Sequence, residues 1–135
     1  MIEPRELRKG NFVKCLVHLP IGFYKPKLSY SEIIELRSSE VETTEGFHKY
    51  KDIGPIQLTE EVLLKCGGTK ITDDRFILKS YNNEIEDIIV IVDSTNFYLG
   101  DNKNNKFSTS IESLHHLQNL FFDLTNTELN IEKDE

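Results

Sequence analysis

The segment 55–67 constrains the fold more than any other part of this chain, because it predicts a short helix with both ends marked. Thr59 can cap the first free N–H groups, and Glu60 begins an acidic first turn at the positive end of the helix dipole. Gly67 tolerates left-handed dihedrals and therefore ends the helix. We predict a helix over 59–66.

A second, longer helix is predicted over 110–125, with Ser110 as its cap. Its apolar residues recur at three- and four-residue spacing, which is typical of a helix with one buried face. That face consists of Ile111, Leu114, Leu117, Gln118, Phe121 and Leu124. We expect this helix to pack on a sheet, and its apolar width leaves room for a homodimer contact.

Alternating and β-branched segments predict antiparallel strands in the rest of the chain. The predicted strands are 11–18, 31–36, 40–44, 47–53, 76–80, 85–92, 95–99 and 106–108. Residues 88–92 are apolar on both faces and therefore predict a central strand. The pattern predicts an α+β fold, in which the two helices cover one twisted antiparallel sheet.

Domain organisation follows from length and composition. A chain of 135 residues is long enough for one core, and no stretch rich in Gly, Pro or Ser divides it. We predict a single domain over 1–127. Residues 128–135 are acidic, and we predict that they form a frayed tail.

The formal net charge of −7 argues against a protein that binds nucleic acid through its phosphates, because such binding needs clustered Lys and Arg. No apolar segment is long enough to span a bilayer, and the first residues lack the apolar run of a signal peptide. We therefore expect a cytoplasmic protein that binds neither nucleic acid nor membrane.

Candidate metal ligands do not follow a recognised spacing. His115 and Asn119 share a helix face, but zinc sites need three or four ligands, so we interpret His115 as a surface or interfacial residue. Asp73 and Asp74 could join Glu84, Glu86 and Asp87 around Mg²⁺ only through a loop geometry that the sequence does not dictate. We interpret these carboxylates as a solvated acidic rim and expect no metal and no cofactor.

Nucleophilic catalysis finds equally little support. Cys15 and Cys66 are far apart and form no Cys-x-x-Cys pair, so we interpret them as buried free thiols. His18 and His48 stand alone in the sequence, and we interpret both, like His115, as surface or interfacial residues. We predict no catalytic residues and no enzymatic activity.

Aromatic residues suggest a binding surface instead. Phe23, Tyr24, Tyr30, Phe47, Tyr50, Phe97 and Tyr98 include several in predicted loops and edge strands, where an aromatic ring can contact a partner. Tyr24, between Lys25 and Lys27, is the one that we place most readily on a partner surface. Our predicted partner-binding residues are Tyr24, Lys25, Lys27, Glu84, Glu86 and Asp87.

Three collinear segments resemble a group of small uncharacterised proteins from phages, prophages and mobile elements of Bacteroidetes. Residues 6–13, ELRKGNFV, resemble their opening ELRIGN-aromatic-Val; residues 55–67 resemble PIPLTEEWLLKFGF; and residues 114–125 resemble VHQLQNLYFALTG. Gln57, Val62, Cys66 and Asn126 depart from that pattern. The resemblance implies a small SH3-like antiparallel sheet followed by helix, strands and helix, and it implies no activity and no functional residues.

Three functional hypotheses remain open. The first is a non-enzymatic protein, encoded by a phage or mobile element, that inhibits a nucleic-acid-binding defence protein of the host such as a CRISPR effector, because an acidic surface complements a basic groove. The second is a sponge for a small nucleotide signal, and the third is a virion or replication accessory that bridges other proteins. We favour the first.

Overall fold

The fold is known from a computed structural model, which describes residues 4–15, 30–78, 88–101, 103, 105–106, 108–129 and 131. These residues form an α+β fold with two antiparallel sheets and two helices. The chain divides into two compact units, Met1–Ile56 and Gln57–Glu135. The predicted α+β class is confirmed, but two sheets replace the single sheet that we expected, and the single domain over 1–127 stays a prediction.

Unit 1 contains a five-stranded antiparallel sheet. Its strands are β1 (Phe12–Cys15), β2 (Tyr30–Leu36), β3 (Glu40–Thr43), β4 (Gly46–Lys49) and β5 (Ile53–Gly54). The sheet order is β4-β3-β2-β1-β5, so the last strand returns to pair beside the first. A 3₁₀ turn at Tyr50–Asp52 connects β4 to β5.

The sheet of unit 1 is strongly curved. Strands β1 and β4 stand three places apart, which in a flat sheet would separate them by about 14 Å. Yet Sγ of Cys15 lies 3.4 Å from Nε2 of His48, and these residues belong to β1 and β4. The curvature encloses a core of buried aliphatic side chains, which are Leu7, Val13, Ile33, Val41 and Ile53.

Unit 2 contains both helices and a four-stranded sheet. Its elements are α1 (Glu60–Lys65), β6 (Thr69–Thr72), β7 (Arg75–Leu78), β8 (Ile88–Asp93), β9 (Asn96–Gly100) and α2 (Leu114–Thr125). The sheet order is β6-β7-β8-β9, which confirms β8 as an interior strand. The four residues of β6 are all exposed, so no alternation of apolar and polar residues marked this strand in the sequence.

The first predicted helix is confirmed together with its caps. The hydroxyl of Thr59 accepts a hydrogen bond from the N–H of Val62, as an N-cap does. The helix ends where Gly67 adopts a φ of +77° and the N–H of Gly68 donates to the carbonyl of Leu63.

The second predicted helix has its cap at Ser113, three residues later than we expected. Ile111 forms an antiparallel β-bridge with Phe97, and Ser113 forms another with Gln57. The hydroxyl of Ser113, not that of Ser110, accepts the hydrogen bond from His116 N–H and caps α2. These two β-bridges to residues distant in sequence therefore keep residues 111–113 out of the helix.

The predicted buried face of α2 was wrong in one detail. Leu124 is 45% exposed, so it does not extend the buried face of α2. Among the described residues of the predicted strand 106–108, Lys106 forms a β-bridge with Gly100, and β9 pairs along its length with β8. In the predicted acidic tail, Leu129 and Ile131 are buried.

Candidate functional site

The six predicted partner-binding residues lie outside the described part of the chain. They are Tyr24, Lys25, Lys27, Glu84, Glu86 and Asp87. Their role stays a prediction.

A surface centred on Arg37 and Phe47 is the candidate site that the described residues form. We call it the Arg37–Phe47 surface and define it by Glu35, Arg37, Glu40, Glu42 and Phe47. It lies on the outer face of β2, β3 and β4, where Glu42 is directly opposite Glu35 on one side and Phe47 on the other. Cross-strand pairing thus places these side chains in one row.

The backbone of Arg37 is held at both of its polar groups. Its N–H donates to the carbonyl of Glu40 at 3.0 Å, which closes the turn between β2 and β3. Its carbonyl accepts a hydrogen bond of 2.5 Å from the hydroxyl of Tyr50. Tyr50 itself packs against the core of unit 1. The core therefore positions the main chain from which the guanidinium extends.

Three carboxylates surround the single guanidinium of Arg37. Its nitrogen atoms lie 3.4 Å from a carboxylate oxygen of Glu35, 3.5 Å from Glu40 and 3.9 Å from Glu42. Three negative charges surround this one guanidinium, and Lys49 of β4 lies directly opposite Glu40, so the local excess is one negative charge. Because these side chains are largely exposed, each pair contributes only about 0–1 kcal/mol to stability.

Phe47 is the aromatic residue of this surface. Its side chain is 55% exposed, the largest fraction among the exposed large hydrophobic residues described. The guanidinium carbon of Arg37 lies 4.9 Å from the centroid of the ring, within the range of a cation–π contact. An exposed aromatic ring beside unbalanced carboxylates can bind a basic side chain of another protein.

A cation–aromatic contact in unit 2 differs from this surface in its charge balance. Nζ of Lys106 lies 4.3 Å from the centroid of Tyr98 and 2.5 Å from a carboxylate oxygen of Asp93. That hydrogen bond is the main reason why the pKa of Lys106 is raised. One cation meets one carboxylate here, so no excess charge results from the pair.

A second cluster in unit 1 consists of Cys15, Thr43 and His48, and we call it the Cys15 cluster. Besides its 3.4 Å approach to His48, Sγ of Cys15 lies 3.9 Å from the hydroxyl oxygen of Thr43. Cys15 and His48 are half-buried, whereas Thr43 is buried. Our interpretation of His48 as an isolated residue was therefore wrong.

The other candidate residues lie apart from both clusters. His115 is buried, with its Nε2 3.5 Å from the hydroxyl of Ser113, which contradicts a surface position. Asp73 and Asp74 are exposed; the first pairs with Lys70 and the second accepts a hydrogen bond from Thr72. Among the described residues, no three His, Cys, Asp or Glu side chains converge as metal ligands.

Sequence reasoning found part of the Arg37–Phe47 surface. It included Phe47 among the aromatics available to a partner and placed Glu42 in the predicted strand 40–44. It missed Arg37, because the turn hydrogen bond and the contact with Tyr50 join residues that no local pattern connects. It missed the Cys15 cluster because the curvature of the sheet brings β1 to β4.

No protein-family model, curated protein or solved structure matches this chain. Within the described residues, no helix has the length and apolar character that crossing a bilayer requires.

Proposed function

We propose that this chain is a non-enzymatic binding protein that attaches to a basic surface of another protein through its Arg37–Phe47 surface. The observation on which this proposal depends is the 55% exposure of Phe47 beside Glu35, Glu40 and Glu42. Aromatic residues and Arg are enriched where protein interfaces gain most of their binding energy.

The charge of the site defines the chemistry of its partner. A Lys or Arg of the partner can lie against the ring of Phe47 and pair with the carboxylates that Arg37 leaves unbalanced. A partner with an acidic surface would be repelled. The net charge of −7 acts in the same direction over longer distances, because it attracts a basic protein before contact.

We propose that the partner is a nucleic-acid-binding defence protein of a bacterial host, such as a CRISPR effector. Such an effector holds its guide heteroduplex in a positively charged channel, and an acidic protein can occupy that channel in place of nucleic acid. The resemblance to phage and mobile-element proteins supports this partner, because a phage or mobile element benefits when the defence of its host is inhibited. On this proposal the protein acts in the bacterial cytoplasm.

We also propose that unit 1 is an SH3-like barrel. Three observations support it: the order β4-β3-β2-β1-β5, the curvature that brings β1 to β4, and the 3₁₀ turn before β5. Small barrels of this kind serve many unrelated functions, so the fold supports a binding role only by analogy.

The proposal is tested by co-elution with host nucleoproteins in size-exclusion chromatography, with a CRISPR effector assayed both free and loaded with guide RNA. We expect the wild type to bind the free effector, and Phe47→Ala to weaken binding by about tenfold or more. Glu42→Gln, which removes charge at constant shape, should weaken binding by about threefold or more. If the wild type co-elutes with no basic-groove protein at about 50 or 150 mM salt, the proposal is rejected.

Two matched variants in unit 2 control for general effects of substitution. Ile71 is 49% exposed, so Ile71→Ala removes a comparable exposed apolar side chain. Glu112→Gln removes one exposed carboxylate. Both should bind within about twofold of the wild type, because surface changes away from an interface cost little. Equal losses in the control variants would place the interface elsewhere.

A further inference from the structure

The Cys15 cluster contains a thiol and an imidazole in direct contact. Sγ of Cys15 and Nε2 of His48 lie 3.4 Å apart, a distance at which a proton can pass between sulfur and nitrogen. The two residues belong to β1 and β4, which are not neighbours in the sheet, so they are in contact only because the sheet is curved.

The hydrogen bonds of Thr43 decide which neighbour can accept the thiol proton. The Thr43 hydroxyl donates its one hydrogen to the carbonyl of Gly46 at 3.3 Å, and its oxygen accepts from the N–H of Glu45 at 3.1 Å. A hydroxyl engaged in this way remains neutral. In the tautomer that carries its hydrogen on Nδ1, Nε2 of His48 has a free lone pair, so His48 is the member of this cluster that can take the proton.

The geometry points to Cys15 as a modification site that reacts with small disulfides with the assistance of His48. The Cys15 thiol transfers its proton to Nε2 of His48, and the resulting thiolate attacks one sulfur of the disulfide. A new sulfur–sulfur bond joins Cys15 to that half, the original bond breaks, and the departing thiolate takes the proton back from His48. Protein thiol and disulfide thus become mixed disulfide and free thiol, with no other oxidant.

The second cysteine of the chain provides an internal reference. Cys66 is free and buried, and burial raises its pKa to about 12. At neutral pH its thiolate fraction is therefore roughly 10⁻⁵. A buried thiol of this kind does not react while the chain is folded. Labelling of Cys15 without Cys66 would separate a local reaction from general unfolding.

The modification is expected to be reversible and to stop at the mixed disulfide. The chain has two cysteines, and a buried Cys66 cannot readily resolve a disulfide formed at Cys15. Cys15 also packs beside Leu36 and Tyr50 against the core of unit 1. Its half-buried position favours a small disulfide, such as that of a tripeptide thiol, over the disulfide of a folded protein.

The test measures the rate at which oxidised glutathione modifies the full chain at neutral pH, with peptide mapping by mass spectrometry. We expect one glutathione on Cys15, none on Cys66, and none on either residue in Cys15→Ser. His48→Gln should slow the reaction by about tenfold or more, because the thiol loses its proton acceptor. His116→Gln, in α2, is the matched control and should react within about twofold of the wild type.

A rescue experiment separates proton transfer from a merely structural role of His48. In His48→Ala, added imidazole should restore part of the lost rate, whereas it should leave the wild-type rate unchanged. Circular dichroism checks that each variant is folded; should His48→Ala not fold, His48→Gln alone decides. The inference is overturned if His48→Gln reacts as fast as the wild type, if imidazole restores nothing to folded His48→Ala, or if Cys66 is labelled first.

Discussion

At the scale of the residue, the two cysteines show how the surroundings determine the chemistry of one side chain. Cys15 lies half-buried against an imidazole in a curved sheet, whereas Cys66 lies buried at the C-terminal end of α1. Burial disfavours the charged thiolate and therefore raises the pKa of Cys66 to about 12. On our proposal the same residue type therefore reacts at Cys15, whereas burial keeps the thiol of Cys66 neutral.

The raised pKa of Cys66 predicts that the folded chain loses stability in alkaline solution. The unfolded thiol ionises near 9.0 and the folded one near 12, so the stability is complete below pH 9 and falls as the pH rises towards 12. Between about pH 8 and 10.5, the wild type should lose roughly 2 kcal/mol more unfolding free energy than Cys66→Ala. Urea unfolding at both pH values measures this difference.

Parallel pH curves for the two proteins would contradict that prediction. They would mean that the Cys66 thiol ionises as freely in the folded chain as in the unfolded one. The comparison with Cys66→Ala is necessary because lysine and tyrosine side chains titrate in the same range and affect both proteins equally.

At the scale of the element, α1 and α2 differ in how far their limits depend on distant residues. All the groups that cap α1 belong to its own sequence, from Thr59 to Gly68. The start of α2 depends on pairing with other segments: the N–H of Ile111 donates to the carbonyl of Phe97, and the N–H of Leu58 donates to Glu112. These bonds hold 111–113 extended, although their apolar spacing is compatible with a helix.

The position of the α2 cap is tested by a pair of serine substitutions. Ser113→Ala should destabilise the protein by about 1 kcal/mol, because the N–H of His116 loses its acceptor. Ser110→Ala should cost less than about 0.5 kcal/mol, since Ser110 makes only a weak, exposed side-chain hydrogen bond of 3.4 Å to Asn96. Thermal or urea unfolding measures both values. If Ser110→Ala lowered the unfolding free energy more than Ser113→Ala, Ser110 would be the cap, as in the predicted helix over 110–125.

At the scale of the whole molecule, charge is the property most relevant to the proposed function. The chain has 16 basic and 23 acidic residues, and several cations are already paired within the fold, as Lys70 is with Glu60 and Asp73. The negative charge that remains attracts basic partners over a distance set by the ionic strength. Specific contacts at the Arg37–Phe47 surface then determine how long a complex lasts.

Because charge guides the encounter and specific contacts hold the complex, we predict that they affect different rate constants of binding to a basic partner. Raising the salt concentration from about 20 to 300 mM should lower the association rate by about tenfold or more, and should change the dissociation rate less. Phe47→Ala should do the reverse and mainly increase the dissociation rate. Surface plasmon resonance with the immobilised partner measures both rates. Association that does not respond to salt would show that charge does not guide the encounter.

The sequence by itself determined the properties that depend on neighbours along the chain. It predicted the α+β class, the capped helix at 59–66, the interior strand β8, and the strand at 40–44, because caps, periodicity and turn residues act over a few positions. Only the tertiary structure decided where α2 begins, that two sheets form, and which side chains meet. The Cys15–His48 pair and the Arg37–Phe47 contact join residues that the curved sheet and its cross-strand register bring together, and such long-range contacts leave no local signal in a single sequence.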